Sequence, residues 1–331
     1  MDLTVVWAFI IAFAVAMYVV MDGFDLGIGI LFPRLPVGKE RDVAMNSIAP
    51  VWDGNETWLV LGGGGLLAAF PLAYAIVLPA LYAPLIAMLL GLVFRGVAFE
   101  YRWRDPGHRK YWDLGFCLGS LVATFAQGIT LGALLQGITV EGRAYAGGWW
   151  EWLTPFSLMT GFSLVVAYAL LGATWLIWKT ESELHARARR YAAWLLPAFL
   201  VMVGAVSLAT PFLEAQYHQR WFAWPGVAFT AAMPLLFGGV ALAGWEGIRR
   251  GRDWLPFAAS LGLFALTLIG LAISIWPDVI PGRLTIWQAA APHSSQAFML
   301  VGALVLVPVI LAYTAWSYWV FRGKVGEGGY H

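Results

Sequence analysis

Four carboxylates lie inside apolar stretches of this chain: Asp22 and Asp25 in DGFDLGIG, and Asp53 and Glu56 in VWDGNETW. Each pair has the i, i+3 spacing that puts two side chains on one face of a helix. A single arginine, Arg95, falls in a third apolar stretch. A charge in hydrocarbon costs on the order of 3 kcal/mol or more and persists only with a partner or water. For Asp25 and Arg95 alone, an ion pair that neutralises two charges and fixes helix packing is as good a reading as a functional one. Four acids against one arginine favour function, because crowded, desolvated carboxylates can hold and release protons at neutral pH, as a proton relay requires.

The elements that position these groups are read from composition and hydropathy. The chain has 331 residues, 60% hydrophobic and 12% charged, with a mean hydropathy of +0.73 and 19 Trp. A soluble domain is about 45–50% apolar and 25% charged, so the solvent here is a bilayer. Spans are expected at 5–32, 48–70, 73–98, 113–137, 154–178, 191–211, 225–248, 255–276 and 294–321, in a single integral membrane domain over 1–331. Five links on one side carry 16 of the 20 Lys and Arg, the opposite links carry only Arg143, Arg220 and Arg283, and Arg95 completes the set. The positive-inside rule then gives an all-α, polytopic membrane protein of nine transmembrane helices, with the N-terminus outside and the C-terminus in the cytoplasm. No basic region precedes the first apolar stretch, which reads as a retained span. Counting from Thr4, Asp25 is about 31 Å along the first helix, so all five charged groups fall at one depth near the cytoplasmic side.

Other polar residues have structural readings. Glu100 and Glu246 sit beside basic span ends; Gln127, Gln136 and Gln296 read as interhelical hydrogen-bond partners; Gly62 to Gly65 permit close helix approach or leave room for a lipid or quinone chain. His108, His185, His218, His293 and His331 all fall in links or at span ends, leaving no mid-span imidazole for a haem iron. Met17, Met88, Met159, Met202 and Met299 read as packing rather than ligands. With Cys117 the sole cysteine, neither an internal disulfide nor a metal cluster is expected, and the charge of +1 gives no reason to expect nucleic acid. Any redox metal should belong to a partner.

Several segments resemble the signature stretches of subunit II of the cytochrome bd quinol oxidases: DGFDLGIG at 22–29, NSIAPVWDGNETWLVLGGGGL at 46–66, FRGVAFEYR at 94–102, ESELHARARR at 181–190, and 285–319 from TIWQAAAPHSSQ to AYTAWSYW. The resemblance implies a bacterial or archaeal inner-membrane complex whose subunit I binds haem b558, haem b595 and haem d (or a third b haem) together with the quinol site. Subunit II would bind no cofactor or metal itself. Quinol would be oxidised on the outer side and dioxygen reduced with cytoplasmic protons. The resemblance implies Asp53 as a proton-relay residue; Asp25 and Glu56 are read as secondary relay groups, and Arg95 with Asp22 as the charge balance. Subunit I is the expected partner, with lipids, quinone and a small single-span accessory subunit as further ones. The link at 212–224 is short, which resembles the cyanide-insensitive branch. A purely structural, lipid- or quinone-binding subunit and a secondary transporter are the alternative readings.

Overall fold

The computed structural model describes residues 2–224 and 226–325. Its helices are α1 (Leu3–Leu31), α2 (Lys39–Asn46), α3 (Trp52–Ala69), α4 (Pro71–Ala80), α5 (Tyr82–Arg104), α6 (Arg109–Leu135), α7 (Pro155–Lys179), α8 (Ser182–Ala209), α9 (Ala215–Phe222), α10 (Gly226–Thr230), α11 (Ala232–Arg250), α12 (Trp254–Ile275), α13 (Ile286–Ala289) and α14 (His293–Val320). Two short antiparallel hairpins, β1 (Val140–Glu141) with β2 (Ala144–Tyr145) and β3 (Asp278–Ile280) with β4 (Leu284–Thr285), sit in the links.

Among the described residues, eight helical segments are long and apolar enough to cross a membrane, α10 and α11 together forming one of them. The ninth crossing is α3, which breaks from α4 with a bend of 119°. Contacts at the two ends of the bundle show why α3 must cross. Arg41 pairs with Asp113 and Arg187 with Glu40, Arg189 donates to the Ile248 carbonyl, Lys324 pairs with Asp253, and Lys179 donates to the Gly323 carbonyl. All five basic segments are thereby tied together at one end. At the other end Trp287 donates to Asp2, Trp7 to the Gln296 carbonyl, and the Ala291 amide to the Ala69 carbonyl. The indole beside Asp2 holds that carboxyl below its ordinary range. Since α1 and α5 both finish at the basic end, α3 must climb away from it before α5 returns. Its 18 residues reach about 27 Å, close to the roughly 30 Å of a hydrocarbon core.

The third expected span, 73–98, is therefore two elements. Hydropathy runs unbroken from α4 into α5, but Phe70 (φ −130°, ψ 61°) and Leu81 (φ −111°, ψ 22°) leave the helical region on either side of α4. The residue before a proline disfavours the helical basin, and Phe70 precedes Pro71. Residues Ala73, Ile76 and Ala80 of α4 pack with Ile280, Leu284 and Ile286 of the far-end links. Helices also extend past the expected span limits at the basic end: α8 starts at Ser182, and α5 carries Arg102 inside its last turn. The link at 212–224 contains α9. His331 lies outside the described residues.

Backbone contact fixes the helices around the charged groups. A Cβ on Gly27 would fall 1.9 Å from the Tyr168 carbonyl oxygen, so α1 and α7 touch main chain to main chain. Gly91 and Gly119 do the same for α5 and α6; a Cβ on Gly119 would lie 2.6 Å from the Gly91 carbonyl and 2.8 Å from the Arg95 nitrogen. Gly62 and Gly65 face Val15 and Ile11 of α1, whereas Gly63 and Gly64 meet open space. In a membrane such small-residue contacts supply the packing that apolar burial cannot.

Candidate functional site

The buried stripe of α3 is Asn55, Trp58, Gly62 and Gly65, at i, i+3, i+7 and i+10, and it faces α1. Asp22 and Asp25 lie on α1 opposite the lower part of that stripe, and both are fully buried. From α5, Arg95, 2% exposed, reaches the same place: Nη1 donates to Asp22 Oδ1 at 2.7 Å and Nη2 to Glu56 Oε1. Its guanidinium lies 5.9 Å from the centre of a Trp52 ring. Glu56 sits on the flank of α3 with its side chain 26% exposed.

Asp25 is held differently. Its Oδ2 accepts from Asn55 Nδ2 at 2.7 Å, and Asn55 also donates to the Met21 carbonyl at 3.3 Å. Asp25 Oδ1 and Asp22 Oδ2 are buried and have no protein hydrogen-bond partner among the described residues. Tyr18, one turn along α1, sets its hydroxyl near Asp22 but outside hydrogen-bonding geometry. Buried polar atoms of this kind are met by water when the pocket is polar. Three carboxylates thus gather at one guanidinium, which contacts two of them and leaves two negative charges in excess of the one positive.

Two expectations change. Arg95 pairs with Asp22 and Glu56, and no Arg95–Asp25 ion pair forms; the guanidinium enters from α5 on the Asp22 side, while Asn55 takes Asp25. Asp53, expected among the buried acids, is on the exposed face of α3, in its first turn. An acid there is favoured by the helix dipole. Asp22, Asp25, Glu56 and Arg95 come together; Asp53 stands outside them.

A second charged network, not expected from the sequence, lies two turns further along α5. Arg102, 1% exposed, donates through Nε to Asp113 Oδ1 at 2.5 Å and pairs with Asp42 at 2.9 Å; Arg41 also holds Asp113, and Arg109 holds Asp42. The i, i+7 spacing of Arg95 and Arg102 was the available signal. Lys179, also counted among link residues, is 4% exposed at the end of α7 and donates to the Phe321 and Gly323 carbonyls. Glu100 and Glu246 are solvated beside Arg104 and Arg250. Gln127 accepts from Tyr168, Gln136 from Thr154, and Gln296 donates to Thr4 and the Ala291 carbonyl.

For haem, the donor set does not fit. His108, His218 and His293 are exposed and His185 is half-buried against the Ile177 carbonyl; of the five candidate methionines only Met88 is buried. Among the described residues no group of three His, Cys, Asp or Glu could hold a metal ion.

Residues 3–321 match the family model described as cytochrome bd terminal oxidase subunit II. The chain is 31% identical to cytochrome bd-I ubiquinol oxidase subunit 2 of Escherichia coli (strain K12), with 97% of this chain and 94% of the relative covered. It is 28% identical to cytochrome bd ubiquinol oxidase subunit 2 of Bacillus subtilis (strain 168), covering 97% and 96%. A solved structure of bd oxidase from Geobacillus thermodenitrificans contains a chain of the same fold, with a TM-score of 0.78 at 17% identity over 98% of this chain and all of that one.

Proposed function

The chain belongs to the cytochrome bd terminal oxidase subunit II family and is one subunit of a bacterial bd-type respiratory oxidase, a haem-bearing inner-membrane complex with a subunit I, and from that premise we propose that it supplies part of the proton path for dioxygen reduction. In this reading subunit I carries haem b558, haem b595 and haem d, or a third b haem, and oxidises the quinol. This chain adds no haem ligand. It forms a single membrane domain with its basic end, and its C-terminus, in the cytoplasm. Quinone, lipids and a small accessory subunit are further contacts of the complex.

The observation that carries the reading is the cluster of Asp22, Asp25 and Glu56 around Arg95 at the basic end, with Asp53 beside it on an exposed helix face. A carboxylate on the outside of a span is costly against lipid but not against water or a polar partner surface. Asp53 therefore belongs where subunit I meets α3. There it passes protons taken from the cytoplasm, by hydrogen-bond reach and not by covalent chemistry. Glu56 links that face to the buried acids, Asp25 holds a proton beside Asn55, and Arg95 with Asp22 sets the local charge.

One observation favours the transporter reading: the break between α3 and α4, since transporters build sites on discontinuous helices. That break lies at the end of the bundle opposite the acids, so no unwound backbone enters their cluster. Affinity purification of the tagged native complex separates the proton-path reading from the transporter one, and oxygen uptake by the Asp53→Asn complex separates it from a purely structural subunit. A larger haem-bearing subunit should co-purify and support quinol-driven oxygen uptake; a colourless chain that instead carries solute flux in liposomes would overturn it.

A further inference from the structure

Helix α14 is held loosely along most of its length; among its residues only Gln296 and Ala303 are buried. Near the basic end Tyr318 turns inward. Its ring lies edge-on to Trp175, with centroids 6.3 Å apart, and its hydroxyl donates to Asn55 Oδ1 at 3.0 Å. Lys179 fixes this part of α14 from α7 by capping the carbonyls of Phe321 and Gly323 one turn further on.

Asn55 is 1% exposed, so each of its polar atoms must be satisfied inside the protein. A side-chain amide has one acceptor and two N–H donors. Here Asp25 Oδ2 and the Met21 carbonyl take the two donors, and the Tyr318 hydroxyl satisfies the oxygen. Asn55 is in turn the side chain that hydrogen-bonds Asp25. Without the hydroxyl, Oδ1 would be bare in a buried site, and the amide could turn only by aiming its oxygen at the Asp25 carboxylate. The last helix thereby controls how the acid that meets no guanidinium is hydrogen-bonded.

We propose that Tyr318 is a positioning residue for proton transfer at Asp25, acting through the Asn55 amide. The inference rests on the reading of the acid cluster as a proton path. Tyr318→Phe removes one oxygen and keeps the ring against Trp175, so the complex should assemble with its haem content unchanged. In the purified complex, kcat for quinol-driven oxygen uptake should fall roughly three- to tenfold, the effect of losing one buried hydrogen bond, with KM for quinol unchanged. The solvent deuterium isotope effect on kcat should rise, because proton delivery becomes slower; loss of packing alone would not raise it. In an Asn55→Ala background the same substitution should cost nothing more. An unchanged kcat, a fall without a larger isotope effect, or an equal fall in both backgrounds would overturn the role of Tyr318. If the Asn55→Ala complex does not assemble, the isotope effect in Tyr318→Phe decides. Asp25→Asn separates the two levels: wild-type turnover there sinks the proton-path reading itself, whereas impaired turnover with an unaffected Tyr318→Phe sinks only the present inference.

Discussion

Replacing Arg95 with methionine removes the only guanidinium in the acid cluster while keeping an unbranched side chain of similar reach. Asp22 is fully buried and takes its cationic hydrogen bond from Arg95 at 2.7 Å, so it would be left as an unpaired charge in the membrane. Breaking a buried pair by removing one partner costs about 3–5 kcal/mol. Glu56, at 26% exposure, can turn toward solvent and adds little. At roughly 2 °C per kcal/mol for a chain of this size, the apparent melting temperature of the purified complex should drop by about 6–10 °C at a fixed scan rate. Asp22→Asn alone leaves Arg95 paired with Glu56 and should cost less than half of that. The double variant carries neither buried charge and should recover a large part of the loss relative to Arg95→Met. A melting temperature within a degree or two of wild type for Arg95→Met, or a double variant less stable than Arg95→Met, would refute the claim that this pair neutralises a buried charge.

The glycine contacts predict opposite results at two positions. Gly27→Ala forces a Cβ into the Tyr168 carbonyl and should abolish most of the assembled complex, read as haem recovered per cell, while Gly204→Ala, where a Cβ meets open space in α8, should be neutral or stabilise by about 0.5–1 kcal/mol in thermal melts. Lys179→Met frees the carbonyls of Phe321 and Gly323, and trypsin should then cleave after Arg322 or Lys324 roughly two- to tenfold faster than in wild type.

Much of the architecture is legible in the sequence because hydropathy and basic links are properties of single segments. The i, i+3 pairs Asp22/Asp25 and Asp53/Glu56, and the depth of Arg95, were visible for the same reason. Which side of α3 faces the bundle was not visible. Both sides are apolar or small in a membrane helix, so the period that reveals a buried face in water is weak. Asp53 and Glu56 are about 60° apart around the axis, enough to leave Asp53 outside while Glu56 meets the reach of Arg95. The split of 73–98 into α4 and α5 was hidden because hydropathy is blind to direction; Pro71, Pro79 and Pro84 were the only marks of it. Arg102 was counted with the links and Asp113 opens the expected span 113–137, because charge near a span end ordinarily marks the water boundary; their mutual pairing, which lets the helices continue, is a tertiary fact. Tyr318 lies in the AYTAWSYW stretch, but its partner was not legible there, since the contact depends on α14 returning to α3 across 263 residues.

The proton-path account is tested most directly by quinol-driven oxygen uptake in the purified complex carrying Asp53→Asn. Asparagine keeps the shape and exposure of the side chain but cannot carry a proton. Turnover should fall roughly tenfold or more while the reduced haem spectrum and the yield of the complex match wild type. Wild-type turnover in that assembled variant would contradict the account.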